Sequence, residues 1–391
     1  MLKYKSTIFS DENDIYIALQ SNRAKLSINS LRKLAFKRGL LYSSTLDRDE
    51  LIGNISDLPF SYSQLQELTN KLTPKINRDQ YSIKRITGIF DLSKMSDVID
   101  KVIESRPRFV GAENITHYKS IQSYYIEIDY TEFDFTRGKY QQKKRHGGHI
   151  QFLEKDNYIS IQFTYTKRIK SILDEVIQMY RDTVNHDIVI QCVDLSAVLN
   201  SDLRNKFMVS LYDTTTPFLF LELEKVRVSK VCSILDSTMD ESKVSADLDD
   251  DLLDDDDLLD DLLEDADERE YSIDNAQFDG KSLNDADEVN ELCRNNFYRS
   301  RIKWKSKALS LADKPIITFE LTFDDKYQAK DLKFRILGKE TIDCSGGKTA
   351  VDGADFNIIM RDLENLIFNS LDNALAEHGN VESTKMEATD A

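Results

Sequence analysis

The stretch YYIEIDYTEF, residues 124–133, alternates between apolar and acidic side chains. Ile126 and Ile128 fall on one side of the alternation, and Glu127 and Asp129 fall on the other. Since successive side chains of a β-strand point to opposite faces, this pattern predicts a strand with one face in a core and the other in water. We therefore expect the fold to contain a sheet.

Similar short runs of apolar and β-branched residues lie on both sides of this stretch. They predict strands at 81–90, 149–154, 158–166, 186–193 and 218–228. Amphipathic patterns predict helices between them, at 96–105, 166–182 and 194–211. Strands mixed with helices in this order indicate a mixed α+β domain over residues 80–235.

Beyond residue 293 the same kind of pattern returns. Strands are predicted at 295–308, 316–323 and 331–337, followed by an amphipathic helix that includes Phe356. The sequence therefore predicts a second, smaller α+β domain over residues 293–378, with a frayed tail at 379–391.

The intervening segment, 236–292, differs from its surroundings in charge. Between Asp236 and Glu270 there are 18 acidic and 2 basic residues, so this stretch holds nearly all of the net charge of −17. Repulsion between its carboxylates favours an extended, disordered linker. Three roles are open for this acidic linker: a solvated spacer, a segment whose leucine pairs dock on a protein partner, or an internal mimic of nucleic acid that modulates binding.

The N-terminal residues are predicted to form helices. Leu31 and Leu34 have helical spacing ahead of Gly39, which is a natural helix end. Asp47 with Glu50 three residues later has the spacing of a capping box, which predicts the start of the next helix.

The stretch LRKLAFKRGLLYSSTLDRDELIGNI, residues 31–55, resembles the Rho N-terminal type of helix–extended loop–helix module, a relative of the SAP and LEM folds. Residues 31–39 match the "L..LA...G" of that type, and residues 46–52 match its leucine, basic residue, acid and "LI". The resemblance extends over residues 28–58 only. It implies a small helical module within residues 1–75 that binds nucleic acid or protein. Its candidate phosphate contacts are Arg32, Lys33, Lys37, Arg38 and Arg48.

In FYRSRIKWKSKA, residues 297–308, a cation stands at every second position. In a strand all of them would project from one face, where their mutual repulsion favours an anion such as a nucleic-acid backbone. An exposed edge strand protected from aggregation by its charges is the alternative interpretation. The cations are Arg299, Arg301, Lys303, Lys305 and Lys307.

RGKYQQKKRHGG, residues 137–148, is a second basic element, predicted as the tip of a hairpin between the strands at 124–133 and 149–154. Its cations are suited to phosphate contacts, and Tyr140 is suited to stacking on a base. A solvated loop is the alternative interpretation. The candidate contacts are Arg137, Lys139, Lys143, Lys144 and Arg145.

The sequence contains few patterns that are typical of enzymes. The best catalytic arrangement is a D-x-K of Asp331 and Lys333, with Glu320, Asp324 and Asp325 upstream, in which carboxylates would hold Mg²⁺ while the lysine orients a water. Because D-x-K is a very common pattern, we expect no catalytic residues, no metal site and no cofactor. A Mg²⁺-dependent nuclease, for instance in host defence, stays as an alternative.

No apolar run approaches the length of a membrane span, and the four cysteines stand far apart. We therefore expect a cytoplasmic protein without a membrane partner. The pattern as a whole favours a non-enzymatic accessory protein that binds the backbone of nucleic acid, DNA or RNA, and has a protein partner. A protein–protein adaptor that uses the helical module and the acidic linker is the second interpretation.

Overall fold

A computed structural model describes most of the chain. The described residues are 11–21, 26–72, 80–106, 113–133, 143–231, 275–280, 283, 286–340, 349–351 and 353–389. The stretch from Asp236 to Glu270 and the basic residues Arg137 and Lys139 lie outside them.

Helices and one antiparallel sheet form the described part, so its class is α+β, as predicted. The helices are α1 (Glu12–Gln20), α2 (Ile28–Phe36), α3 (Arg48–Ser56), α4 (Tyr62–Leu72), α5 (Met95–Ser105), α6 (Lys167–Thr183), α7 (Ser201–Tyr212), α8 (Asp287–Arg294) and α9 (Gly353–Thr389). The strands are β1 (Tyr81–Thr87), β2 (Asn114–Lys119), β3 (Ser123–Phe133), β4 (Lys143–Glu154), β5 (Ile159–Thr164), β6 (Val189–Cys192), β7 (Phe218–Lys230), β8 (Asn275–Asp279), β9 (Phe297–Ala308), β10 (Ile316–Asp325) and β11 (Lys330–Glu340). None of the described helices has the length and apolar character that a membrane span requires.

Helices α1 to α4 surround a hydrophobic cluster of their own, centred on Leu31 and Leu51. Asp47 and Glu50 form the predicted capping box, because each side chain accepts a hydrogen bond from the backbone N–H of the other, at 2.8 and 3.3 Å. Gly39 follows the end of α2 with a φ of 78°, a conformation that glycine adopts without steric cost. The kinship with the Rho N-terminal type stays a prediction.

The remaining strands form a single sheet in the order β2-β3-β4-β5-β1-β11-β10-β9-β7-β8, with β6 paired to β1. We call residues 232–274, which include the stretch from Asp236 to Glu270, the acidic segment. Strands that precede this segment in the chain are therefore neighbours of strands that follow it. The join in the middle is narrow, because the register between β1 and β11 consists of the pair Tyr81 and Phe334. Contacts between helices and strands consequently contribute to holding the two halves of the sheet together.

The helices cover opposite faces of the two halves. In β5, Ile161 and Phe163 belong to the core under α5 and α6, whereas the alternate residues Ser160 and Gln162 donate hydrogen bonds to Glu364 of α9. In the other half, α7, α8 and α9 pack on the side of β9 that carries Trp304. The helices that cover one half of the sheet therefore lie on the opposite side from the helices that cover the other half.

The two main cores do not divide where the sequence predicts. One cluster contains residues from 86 to 190, and the other combines Ile83 and residues 193–231 with residues 283–374. Moreover β7 and β8 pair with each other, with Ser229 opposite Asn275. The acidic segment thus connects two adjacent strands at the edge of the sheet, and β8 and most of α8 lie inside the stretch 236–292 that was predicted to be a linker.

The C-terminal helix also differs from its predicted end. α9 continues through Gly379 to Thr389, although the sequence predicts a frayed tail from residue 379. A single glycine inside a helix costs only about 1 kcal/mol relative to alanine, so it does not have to end one.

Candidate nucleic-acid interface

Three of the five predicted cations of β9 are neutralised by carboxylates on the neighbouring strands. Arg301 donates to Glu320 of β10 at 2.6 Å, and Lys305 donates to Glu222 of β7 at 3.0 Å. Glu224 of β7 lies 2.9 Å from Lys305 and 3.3 Å from Lys303. We call Arg301, Lys303, Lys305, Glu222, Glu224 and Glu320 the ion-pair lattice.

The lattice is partly buried and its charges are mutually stabilised. The side chains of Arg301 and Glu320 are 10% and 7% exposed. The hydrogen bond to Glu224 raises the pKa of Lys305 above its ordinary value. Burial alone would raise the pKa of Glu224, but its bonds to Lys305 and Lys303 outweigh burial and hold that pKa below its ordinary value. The lattice therefore needs no external anion to balance its cations.

Arg299 does not share the environment of the other β9 cations. The register between β7 and β9 shifts between Arg227 and Val228, so Arg299 lies opposite Val228. Its guanidinium donates to Asn205 of α7 at 3.2 Å and to Asn290 of α8 at 3.1 Å. Strict alternation predicted five cations on one face, but the irregular register places Arg299 against the helices instead. Lys307 keeps the alternation and is partly buried.

The arginines of the N-terminal helices bind backbone carbonyls. Arg32 donates to Ser44 O at 2.9 Å, and Arg48 donates to the carbonyls of Leu19, at 3.3 Å, and Leu26. These bonds attach the loops to the helices, a role that the basic pattern alone does not indicate.

The other module cations differ from one another. Arg38 donates to the carbonyl of Pro59 and lies 4.0 Å from the ring centroid of Phe60. Lys37 forms an exposed ion pair with Glu67 at 2.7 Å, and Lys33 is exposed. Surface ion pairs of this kind contribute little to stability, so Lys37 could exchange its partner for a phosphate.

The hairpin of β3 and β4 extends beyond its neighbours in the sheet. These two strands pair along their whole length, ending with Phe133 opposite Lys143. However, β2 pairs with β3 only as far as Asp129, and β5 pairs with β4 only from Ile150 onward. Residues 130–133 and 143–146 therefore form a two-stranded projection, which we call the β3–β4 ribbon.

Three of the predicted cations, Lys143, Lys144 and Arg145, lie in this ribbon. The base of the ribbon is well anchored. Tyr130 stacks on His146 with ring centroids 5.0 Å apart, and its hydroxyl donates to Thr166 at 2.9 Å.

The candidate nuclease residues are engaged with other side chains or with the backbone. Asp331 pairs with Lys170 of α6, and Lys333 donates to Asp324 at 2.9 Å. Asp325 accepts hydrogen bonds from two backbone N–H groups of the turn that follows it, and Glu320 belongs to the ion-pair lattice. Within the described ranges there is no group of three or more His, Cys, Asp or Glu side chains that could hold a metal ion.

Two sets of residues were not predicted from the sequence. Glu364 lies within the apolar stripe of α9 and is 1% exposed, and Arg85 donates to it at 3.1 Å. Tyr118 and Tyr125 stack across β2 and β3. An acid inside an apolar stripe was a detectable signal for the first set. The second depends on the pairing register, which local pattern does not reveal.

No protein-family model matches the sequence, and no curated protein matches it.

Proposed function

We propose that this protein binds nucleic acid without enzymatic activity, contacting the phosphate backbone mainly through the β3–β4 ribbon. One observation carries the proposal: the ribbon projects beyond β2 and β5, and Lys143, Lys144 and Arg145 occupy one of its two strands. Arg137 and Lys139 lie between the two strands of the ribbon in the sequence. We expect the protein to serve as an accessory component of a larger assembly.

The ribbon suits this ligand in charge and in shape. Its described residues include three cations and one acid, Glu132, which lies 3.2 Å from His146. The major groove of duplex DNA admits a two-stranded β-ribbon, and lysine and arginine gain affinity from the release of counterions. The ion-pair lattice is the weaker candidate, because each of its cations already has a carboxylate.

Binding by the ribbon should depend steeply on salt. We expect the logarithm of the affinity for duplex DNA to fall with the logarithm of salt concentration with a slope of about −3 to −5, since each neutralised phosphate contributes about −0.9. Replacing Lys143, Lys144 and Arg145 together by glutamine should make the slope shallower by about 2 to 3. Fluorescence anisotropy between 50 and 300 mM salt, with DNA and RNA, measures both slopes. Absence of binding to both DNA and RNA at the lowest salt concentration would contradict the proposal.

We further propose that the acidic segment lowers this affinity by competing with nucleic acid. It is tethered at Val231 and Asn275, at the end of the sheet order opposite to the β3–β4 ribbon, and because it belongs to the same chain its effective concentration near the protein's cations is high. Deleting residues 244–268 should therefore tighten binding several-fold at low salt and much less at high salt. An unchanged affinity at low salt contradicts this role.

A second candidate function, a protein–protein adaptor, is favoured by exposed apolar side chains on the N-terminal helices and on the loop between α2 and α3. Phe36, Leu41 and Tyr62 are 65%, 85% and 65% exposed. We expect a double replacement, Phe36→Ser with Leu41→Ser, to release a protein partner that co-purifies with the intact chain. Ile121→Ser, at an exposed turn outside these helices, is the matched control. A partner retained by the double variant argues against the adaptor.

A further inference from the structure

Two tyrosines stack on the face of β2 and β3 that lies away from α5 and α6. Tyr118 is directly opposite Tyr125 in the register, and their rings are 5.0 Å apart and within 13° of parallel. Gln151 of β4 donates to the Tyr125 hydroxyl, which fixes the inner ring. Tyr118 is 50% exposed, so about half of the outer side chain is open to solvent, and it lies beside the carboxylate of Glu127. We call this pair the tyrosine platform.

The platform is not part of the hydrophobic core. The alternate residues of β3, Tyr124, Ile126 and Ile128, belong to the cluster beneath α5 and α6. A flat aromatic pair on a solvated sheet face is the kind of surface on which nucleobases stack, because every base presents a π-face.

The rest of this face continues from the platform toward the ribbon. Along β3 the next residues on the same side are Glu127 and Asp129, both exposed. Thr131 follows opposite Arg145, and Phe133 follows opposite Lys143. At about 3.3 Å per residue, the path from Tyr125 to Phe133 is roughly 26 Å, a length suited to a short single-stranded segment.

The charges along this path favour bases near Glu127 and Asp129 and phosphates near the ribbon. Glu127 and Asp129 repel phosphates, but a carboxylate accepts hydrogen bonds from the exocyclic amino group of a base. Cytosine has such a group and thymine does not. Phosphates are favoured farther along the path, where the cationic residues Arg145 and Lys143 are paired with Thr131 and Phe133.

We propose that this face binds single-stranded nucleic acid, with a base stacked on Tyr118, amino groups of bases directed at Glu127 and Asp129, and the backbone held by the ribbon. This inference rests on the proposed function and adds the strandedness of the ligand and a preference for cytosine over thymine.

The test uses the full chain and three labelled probes: dC12, dT12 and a 12-base-pair duplex. The intact protein should bind dC12 more tightly than dT12. Tyr118→Ala should weaken binding to dC12 by about 5- to 100-fold with little effect on the duplex, since stacking is available only to unpaired bases. Tyr118→Phe, which keeps the ring, should retain most of the affinity. Glu127→Ala with Asp129→Ala should abolish the preference for dC12.

A second readout reports stacking directly. Trp304 is 1% exposed, so the fluorescence of a Tyr118→Trp variant should be quenched by dC12 while that of the unsubstituted protein changes little. Tyr118→Ala binding dC12 as tightly as the intact protein, without quenching in Tyr118→Trp, overturns this inference. If binding is still lost when Lys143, Lys144 and Arg145 are replaced by glutamine, the proposed function survives. Failure of all three probes to bind the intact protein overturns the proposed function instead.

Discussion

Glu364→Ala is expected to lower the free energy of unfolding by about 3–5 kcal/mol, the cost of leaving a buried charge without its partner. Glu364 accepts hydrogen bonds from Arg85 at 3.1 Å, Ser160 at 2.6 Å and Gln162 at 3.3 Å. Without the carboxylate, the guanidinium of Arg85 would stay between Tyr158 and Phe368, whose ring centroids lie 4.3 and 4.1 Å from it. Urea denaturation followed by circular dichroism measures the loss.

The effect should be specific to this carboxylate, because it attaches α9 to the half of the sheet that contains β1 and β5. Glu377, on the same helix, forms an exposed ion pair with Lys206 at 2.7 Å. Glu377→Ala is therefore expected to change the free energy of unfolding by less than about 1 kcal/mol. Equal losses for the two variants contradict the role assigned to Glu364.

Arg204→Ala is expected to cost a similar amount, about 3–5 kcal/mol, because it removes a fully buried side chain and the donors that it supplies to four backbone carbonyls. Arg204 is fully buried. Its guanidinium donates to the carbonyls of Val198 at 2.7 Å, Leu195 at 3.3 Å, Tyr327 at 2.9 Å and Gln328 at 3.4 Å. These bonds join the loop before α7 to the turn between β10 and β11.

Two comparisons separate the hydrogen bonds from the loss of side-chain volume. Arg204→Lys keeps the charge but cannot reproduce the planar fork of donors, so it should recover only part of the stability. Lys206→Ala, also on α7 but exposed, should be nearly neutral. Thermal unfolding of the three variants gives the order of stability. Full stability in Arg204→Lys would show that charge and volume suffice.

Local pattern predicted most of the regular elements. The alternation in residues 124–133 and the capping residues Asp47 and Glu50 correspond to β3 and to the start of α3. Such signals are available in sequence because they depend on residues a few positions apart. Pairing between distant segments has no such signal. The pair Tyr81 and Phe334 joins the halves of the sheet, and the pair Ser229 and Asn275 joins the strands that precede and follow the acidic segment.

In the candidate site, too, the features that depend on nearby residues were predictable and those that depend on distant strands were not. The alternation of cations in β9 was visible in sequence, but their carboxylate partners on β7 and β10 lie many residues away along the chain. The position of Arg299 depends on an irregular strand register that alternation cannot foresee. For the hairpin, the basic composition was visible, whereas its projection beyond β2 and β5 required the sheet order.

The most direct test of the proposed function compares two sets of cations in one binding assay. The ribbon variant replaces Lys143, Lys144 and Arg145 by glutamine, and the lattice variant replaces Lys303 and Lys305 by glutamine. At 100 mM salt we expect the ribbon variant to bind nucleic acid at least about tenfold more weakly than the intact protein. The lattice variant should bind within about twofold of the intact protein yet unfold at a lower temperature, because it loses partly buried ion pairs. Unchanged binding by the ribbon variant, with binding lost in a folded lattice variant, would contradict the proposal.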